Sequence, residues 1–467
     1  MRGSGPPFTS EAVEAYLSER VTDLEPWPGP HAAIPAIADL FAAALPRPGA
    51  VVLLALPSGT VLLRYLFGAV HGGAVPVPVS PATPSARLRG LADRFGASML
   101  VTPGRRAARD GGTRSLGGAG ITPLPGPHAR HAAGDVMLLT SGTSGIYSGC
   151  LHRASSLLRN AAMHASSVGL GPSDTILVML PLHFSYALVA QALAGLVTGA
   201  RLVICGPPHT RARFADTGRR HRVTSTSLTP YLVRRLIDET AEPKTLRTLT
   251  VGGDALPAAD VARLLAVRPD RELYVTYGLT EAGPRVSTLA AHLEPPHRHA
   301  SVGRPIAGVE VALRDVRRAR DRAGDGVGEL LVTSETVLVR KLGLLQGEHT
   351  GRLAGPATIA TGDLFRIDPD GYLYFTGRLT DRLVIDGVRV SLESVRALAA
   401  AQPGVARAAT RVGRDSGDAT HFDLEVEMSE PTEESARRLR ETLNRHLLRA
   451  ERPRRITVVP VREDAAK

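Results

Sequence analysis

The sequence predicts an α/β protein: a large N-terminal domain of α/β subdomains plus a β-rich subdomain, then a small mobile α+β domain. Three observations carry this expectation. Short apolar strands alternate with helical segments from Val51 to Thr276, the pattern of a largely parallel sheet. Glycine- and hydroxyl-rich turns follow several of these strands. After Gly303 the texture shifts to short strands, and the chain then closes on a long amphipathic helix.

Val51–Pro57 (VVLLALP) is an uninterrupted apolar run and reads as a buried strand, with Ser58-Gly59 turning the chain. Thr60 to Val70 forms an apolar helix. Gly72–Val79 is a second strand, whose prolines put it at a sheet edge or a strand end. Ser85–Phe95 is helical and Ser98–Thr102 a strand. Arg105–Arg130, rich in Gly, Pro and Arg, reads as a loop. Val136 to Leu139 is a buried strand, Ser155–Val168 a helix, Thr175–Leu180 a strand and Ala187–Val197 a helix. Arg201–Cys205, Leu246–Thr250 and Arg271–Thr276 are further strands, with a helix over Pro230–Thr240. Val309–Leu313, Gly328–Val332 and Tyr372–Phe375 are the short strands of the β-rich part. Val384–Ile385 and Val388–Val390 flank a turn, Glu393–Ala401 is helical, His421–Met428 a strand and Thr432–Arg449 the terminal helix. The domain boundary is expected at the hinge, giving 1–377 and 378–467.

Composition excludes several classes. With 43% hydrophobic and 22% charged residues the chain is an ordinary globular one. The net charge is +11, but the basic residues are scattered and none of them form a run interleaved with aromatics. The charge therefore reads as an arginine-rich solvated surface, with no nucleic-acid partner. Cys150 and Cys205 lie in no CxxC pattern, against a disulfide framework or a zinc site. No apolar run reaches about 18 residues, and no basic-then-apolar leader opens the chain, so no membrane is expected and a cytoplasmic location is.

The chemistry concentrates in four clusters. Leu138 to Gly149 (LLTSGTSGIYSG) follows a strand, and its glycines let successive backbone N–H groups converge on an anion. The hydroxyls of Thr140, Ser141, Thr143 and Ser144 add donors for phosphate oxygens, around Gly142 and Gly145. Gly252-Gly253-Asp254-Ala255-Leu256-Pro257 and Tyr277-Gly278-Leu279-Thr280-Glu281 each follow a strand, at the sheet end where open α/β sheets place ligands. Thr361-Gly362-Asp363 and Gly377-Arg378 precede the terminal unit. Singly these have plainer readings: a flexible loop, a capping carboxylate at Glu281, a turn residue at Asp363, a surface ion pair at Arg378.

Together and in this order they resemble the adenylate-forming superfamily: acyl- and aryl-CoA synthetases, peptide-synthetase adenylation domains and luciferases. The loop is similar to that family's TSGTTGxPKG signature, Tyr277–Glu281 to YGxTE, Asp363 to the acid of TGD, and Gly377-Arg378 to the hinge. Softer likeness includes Gly73-Ala74-Val75, Val302-Gly303-Arg304-Pro305 and Gly328-Glu329-Leu330. The resemblance implies that a carboxylate attacks the α-phosphorus of ATP, giving acyl-AMP and pyrophosphate. It implies that Thr140 to Gly145 hold the β- and γ-phosphates. Glu281 would bind Mg²⁺, and Thr280 would contact the α-phosphate. Gly253, Asp254, Tyr277 and Gly278 would frame the adenine, and Asp363, supported by Arg378, would take the ribose hydroxyls. His183, Phe184 and Tyr186 align with the acid-pocket entry, where they line an acyl or aryl pocket or simply pack. The segment has no aspartate for an α-ammonium, which disfavours ordinary α-amino acids.

Two departures stand out. The family's PKG is Tyr147-Ser148-Gly149 here, so a neutral hydroxyl replaces a point charge, with His152 and Arg153 nearby as possible substitutes. The family's C-terminal GK is not seen before Lys467. The hinge carries Thr380 and Asp381 after Arg378, and Gly387 would line a thiol channel. The expected function is an ATP-dependent ligase activating a small-molecule acyl or aryl acid and passing it to CoA or to phosphopantetheine on an acyl carrier protein. The alternatives are an enzyme using an amine or other small nucleophile in specialised biosynthesis, and a degenerate nucleotide-binding member without turnover.

Overall fold

The computed structural model describes residues 8–104, 114–126, 128–141, 147–238, 242–318, 326–342, 352–379, 382–385, 388–414, 420–447 and 452–461. The chain forms two compact units, Met1–Ala312 with Leu331–Thr361, and Leu313–Leu330 with Gly362–Lys467.

The first unit is built on a mixed sheet of eight strands. Its order is Val21–Asp23, Arg201–Ile204, Thr175–Val178, Ser225–Leu228, Thr248–Val251, Glu272–Gly278, Arg285–Ala290 and Arg304–Pro305. Pairing is parallel as far as Glu272–Gly278 and antiparallel beyond it. A second sheet runs Val75–Pro78, Val51–Leu54, Ala97–Pro103, Ala119–Pro123, Arg114–Leu116. The proline-bearing strand Val75–Pro78 sits at its edge, where missing donors cost no ladder bond.

The apolar runs are continuous because both faces of these strands are covered. Val52 and Leu54 enter one core with Val136 and Leu138, while Val51 and Leu53 enter another with Met137, Leu139 and Leu151. The two-residue period of a strand sends alternate side chains to opposite cores. The helix Thr60–His71 joins the first core and is buried along nearly its whole length.

Three readings of the sequence need correction or completion. Arg114–Leu116 and Ala119–Pro123 form an antiparallel pair within the stretch read as a loop. Gly117 and Gly118, at φ 54° and 77°, make the two-residue turn between them, and Ala119 and Ile121 are buried. The segment read as one helix over Ala187–Val197 is π-helical in its middle, Leu188–Leu193. The strand Ser225–Leu228 (STSL) had no apolar pattern to find. Its hydroxyls bond inside the sheet instead, Thr226 Oγ1 to the Leu177 carbonyl at 2.8 Å and Ser227 Oγ to Thr250 Oγ1 at 2.6 Å.

In the second unit, Val405–Arg414 pairs antiparallel with Thr420–Met428, which pairs parallel with Ile456–Pro460. The helices Leu392–Ala400 and Glu433–His446 pack Val395, Leu439 and Leu443 onto Phe422, Leu424 and Val426. No helix among the described residues is long and apolar enough to cross a membrane.

Candidate active site

The predicted phosphate loop is flanked by two strands that pair antiparallel as a hairpin. Asp135–Ser141 leads in and Tyr147–Arg153 leads out, with Thr140 opposite Ser148 and Ser141 opposite Tyr147. Gly142, Thr143, Ser144 and Gly145 lie outside the described residues, as do Thr380, Asp381, Gly387 and Lys467. At the head of the hairpin, Thr140 Oγ1 and Ser148 Oγ are 2.7 Å apart, and Ser148 is buried. Neither basic neighbour supplies the missing charge. His152 is fully buried, which pushes its pKa down to about 4 and leaves it neutral near pH 7. Arg153 faces Asp135 at the opposite end of the hairpin.

A lysine does stand beside this site, and it comes from elsewhere. Thr280–Ala282 is a 3₁₀ turn after the strand Glu272–Gly278. Glu281 on that turn is paired with Lys341, Oε1 to Nζ at 2.9 Å, with 11% and 6% of their side chains exposed. Backbone bonds fix the approach. Leu338 N–H donates to the Glu281 carbonyl at 2.9 Å and Val339 N–H to the Leu151 carbonyl at 2.7 Å. Arg340–Leu342 then adds as a third strand to the hairpin, with Lys341 opposite Cys150 and Leu342 opposite Gly149. One short segment therefore ties the Glu281 turn to the stem of the phosphate loop and delivers an ammonium between them. Gly278 permits the turn: a Cβ there would lie 2.1 Å from the Pro284 carbonyl oxygen, which accepts the Leu279 N–H at 2.9 Å.

The predicted acid segment lies against the same turn. Ser185 Oγ and Thr280 Oγ1 are 2.8 Å apart. His183 and Phe184 stack with centroids 4.3 Å apart, and burial pushes the His183 pKa down to about 4. Tyr186 donates to the Leu228 carbonyl at 3.3 Å, and its ring receives the Arg285 guanidinium, Cζ 4.0 Å from the centroid. Gly252 and Gly253 follow the strand Thr248–Val251, Gly253 at φ 85° with its α-carbon edge facing the Tyr186 ring. Asp254 is exposed and accepts from the Ala255 N–H at 2.8 Å. Tyr277 is half-buried, opposite Ser287 in the register.

In the second unit, Asp363 and Arg378 face each other across an antiparallel ladder, with Nε 2.9 Å from Oδ1. Asp363 is buried, and Arg378 is more than half exposed. Glu329 accepts from the N–H of Gly362, the preceding residue of the same strand, at 2.9 Å and is itself paired with Arg314.

Thr280, Glu281, Ser185 and Tyr186 are thus brought together in the first unit, and Thr140 lies on the hairpin to which the Lys341 strand adds. Sequence reasoning missed Lys341 and Arg285, which lie in no motif. A signal for Lys341 was present: only three of the 56 Lys and Arg residues are lysines, Lys244, Lys341 and Lys467.

Sheet order, loop hairpin and the Glu281 turn define an adenylate-forming architecture, and comparison agrees. Residues 32–339 match the family described as AMP-binding enzyme, and the chain belongs to that family. It is 30% identical over 409 residues to a probable non-canonical nonribosomal peptide synthetase, CymA, of Salinispora arenicola, a match covering 81% of this chain and 5% of the relative. It is 29% identical over 398 residues to a sulfoacetate–CoA ligase of Cupriavidus necator, covering 79% of this chain and 76% of the relative. The fold matches the crystal structure of the anthranilate CoA ligase AuaEII in complex with anthranoyl-AMP. That match has a TM-score of 0.75 at 20% identity and covers 98% of this chain and 94% of the other. The chain spans between 5% and 26% of the length of the first peptide-synthetase relatives it matches.

Proposed function

We propose that this chain is an ATP-dependent adenylate-forming ligase. A carboxylate oxygen of an acyl or aryl acid bonds to the α-phosphorus of ATP, the bond to pyrophosphate breaks, and acyl-AMP remains. The obstacle is repulsion between anions, so the protein's task is positioning and charge neutralisation. The observation that carries the reading is the buried Glu281–Lys341 pair at the stem of the phosphate loop. It supplies an acceptor for a metal and a fixed cation for phosphate at one place. In this reading Lys341 takes over the charge that the loop lost at Ser148. Thr140 and Thr280 donate to phosphate oxygens, and the Thr143–Ser144 part of the loop adds donors around Gly142 and Gly145. Glu281 would hold Mg²⁺, which when bound offsets charge on the polyphosphate. In the second unit Asp363, oriented by Arg378, accepts from the ribose hydroxyls. The unit from Arg378 onward then serves as the lid, and the acyl group passes to a thiol of CoA or of a carrier-protein phosphopantetheine, with AMP leaving.

ATP–pyrophosphate exchange across a panel of carboxylic acids tests the first step. Exchange dependent on one class of acid is expected. Measurable ATP binding with no exchange for any acid would reject the reading. Mass spectrometry of products formed with CoA, or with amines in its place, decides the acceptor.

A further inference from the structure

Arg285 is the most unusual buried group of the first unit. The residue is 3% exposed, and among the described residues no carboxylate pairs with it. Nη1 donates to Thr276 Oγ1 at 2.8 Å, and the guanidinium carbon lies over the Tyr186 ring, 4.0 Å from its centroid. Nε and Nη2 have no hydrogen-bond partner. Those two atoms form the side edge of the guanidinium, the edge that takes a carboxylate in two parallel bonds. The backbone is shaped around this group. Asn160 clamps Arg285 by accepting from its N–H at 2.9 Å and donating to its carbonyl at 3.0 Å. A Cβ at Gly252 would meet Arg285 Nη1 at 3.3 Å and Thr276 Oγ1 at 2.4 Å, so the strand end is kept bare where the guanidinium lies. His164, wholly buried on the helix Ala154–Ser167, also has both ring nitrogens without partners. Burial, and after it the Arg285 charge, pushes the His164 pKa down, so the imidazole stays neutral beside the cation.

A buried, unpaired cation costs several kcal/mol. Such a cost persists where the charge meets an anion in the working protein. The contacts of Arg285 point to the acid and not to the polyphosphate, because it lies over Tyr186 of the predicted acid segment, whose Ser185 bonds to Thr280. We propose that Arg285 reads a second anionic group on the acid: the substrate is a dianion, such as a dicarboxylate. One carboxylate reacts, and the other lies on the Nε–Nη2 edge of Arg285 above Tyr186. This rests on the adenylation reading of the same site.

The test uses the full chain and paired acids, benzoate against isophthalate and terephthalate, and hexanoate against adipate. Each is followed by pyrophosphate exchange and by calorimetric binding. Wild type should favour the dianion of a pair by on the order of 100-fold, the strength expected of a charge-assisted pair. Arg285→Leu should collapse that ratio toward one. Arg285→Lys keeps the charge without the fork. It guards against a misfolded leucine variant and should raise KM for the dianion with little change in kcat. Equal or better use of the monoacids by wild type would overturn the proposal, as would an unchanged ratio in both variants. If dianions bind wild type but not the variants while no acid supports exchange, Arg285 keeps its role and adenylation fails. If monoacids alone support exchange, adenylation stands and Arg285 does not read an anion.

Discussion

Replacing Lys341 by methionine separates two consequences of one contact. The side chain keeps its length and loses its charge, and the Glu281 carboxylate, 11% exposed, is left without the ammonium at 2.9 Å. Breaking a buried pair in this way typically costs about 3–5 kcal/mol of stability, because an uncompensated charge remains. The functional loss is separate. An ammonium about 4 Å from a phosphate charge is worth at most about 4 kcal/mol at an effective dielectric near 20. At 1.4 kcal/mol per tenfold, kcat/KM for ATP should fall by roughly 100- to 1,000-fold. Denaturant melts and exchange kinetics on the same preparations read the two effects. Adding Glu281→Gln removes the stranded carboxylate and should recover most of the stability but none of the ATP affinity. Lys341→Arg retains a cation and should recover part of the ATP affinity. Lys341→Met with KM for ATP and exchange rate within about threefold of wild type would refute the assignment, because a fixed phosphate cation cannot be neutral to ATP use.

Further outcomes follow from geometry elsewhere. Gly278→Ala places a Cβ 2.1 Å from the Pro284 carbonyl oxygen and should displace the Glu281 turn, abolishing exchange while circular dichroism shows the sheet intact. His183, held at about 4 by burial, favours its neutral form in the folded state. Its contribution is therefore complete above the unfolded value near 6.5 and is lost as pH falls from there toward 4, by on the order of 2 kcal/mol at pH 4.5. His183→Gln should remove that much of the difference between melts at pH 7 and pH 4.5. Thr432 caps the helix Glu433–His446 by accepting from the Ser435 N–H, so Thr432→Ala should cost about 1 kcal/mol in a denaturant melt.

The sequence carried the parallel strands well because both of their faces are buried. Val51–Leu54 and Val136–Leu139 are unbroken apolar runs that feed two cores at once. It did not carry Ser225–Leu228, whose hydroxyls bond within the sheet, Thr226 to a carbonyl and Ser227 to the Thr250 hydroxyl, and leave no apolar pattern. Nor did it carry the hairpin turned by Gly117-Gly118, since a glycine-rich composition reads as loop until register is known. The motifs gave the Thr280–Glu281 turn, which follows a strand, and Asp363, which lies inside the strand Thr358–Ile367, because each is a short, contiguous piece of backbone. A contact between residues 60 positions apart in the chain, such as Glu281 with Lys341, has no local signature.

That limit explains how the apparent loss at Ser148 misleads. Read along the chain, a phosphate loop without lysine suggests a site short of positive charge, with His152 and Arg153 the nearest basic residues that follow it. In three dimensions His152 is neutral and Arg153 is at the wrong end of the hairpin, while a third strand adds Lys341 to that hairpin. What a phosphate site requires is a cation at a place, and sheet pairing can deliver it from any strand whose register fits. The same reasoning applies to Arg285, which only Ala282, Gly283 and Pro284 separate from Glu281 yet which points to Tyr186 and Thr276 and not to the Glu281 carboxylate. Two cations, one paired with Glu281 and one with no acid partner among the described residues, make contacts with different neighbours within a few residues of one turn. An acid bearing a second negative charge, meeting ATP at that turn, would use both.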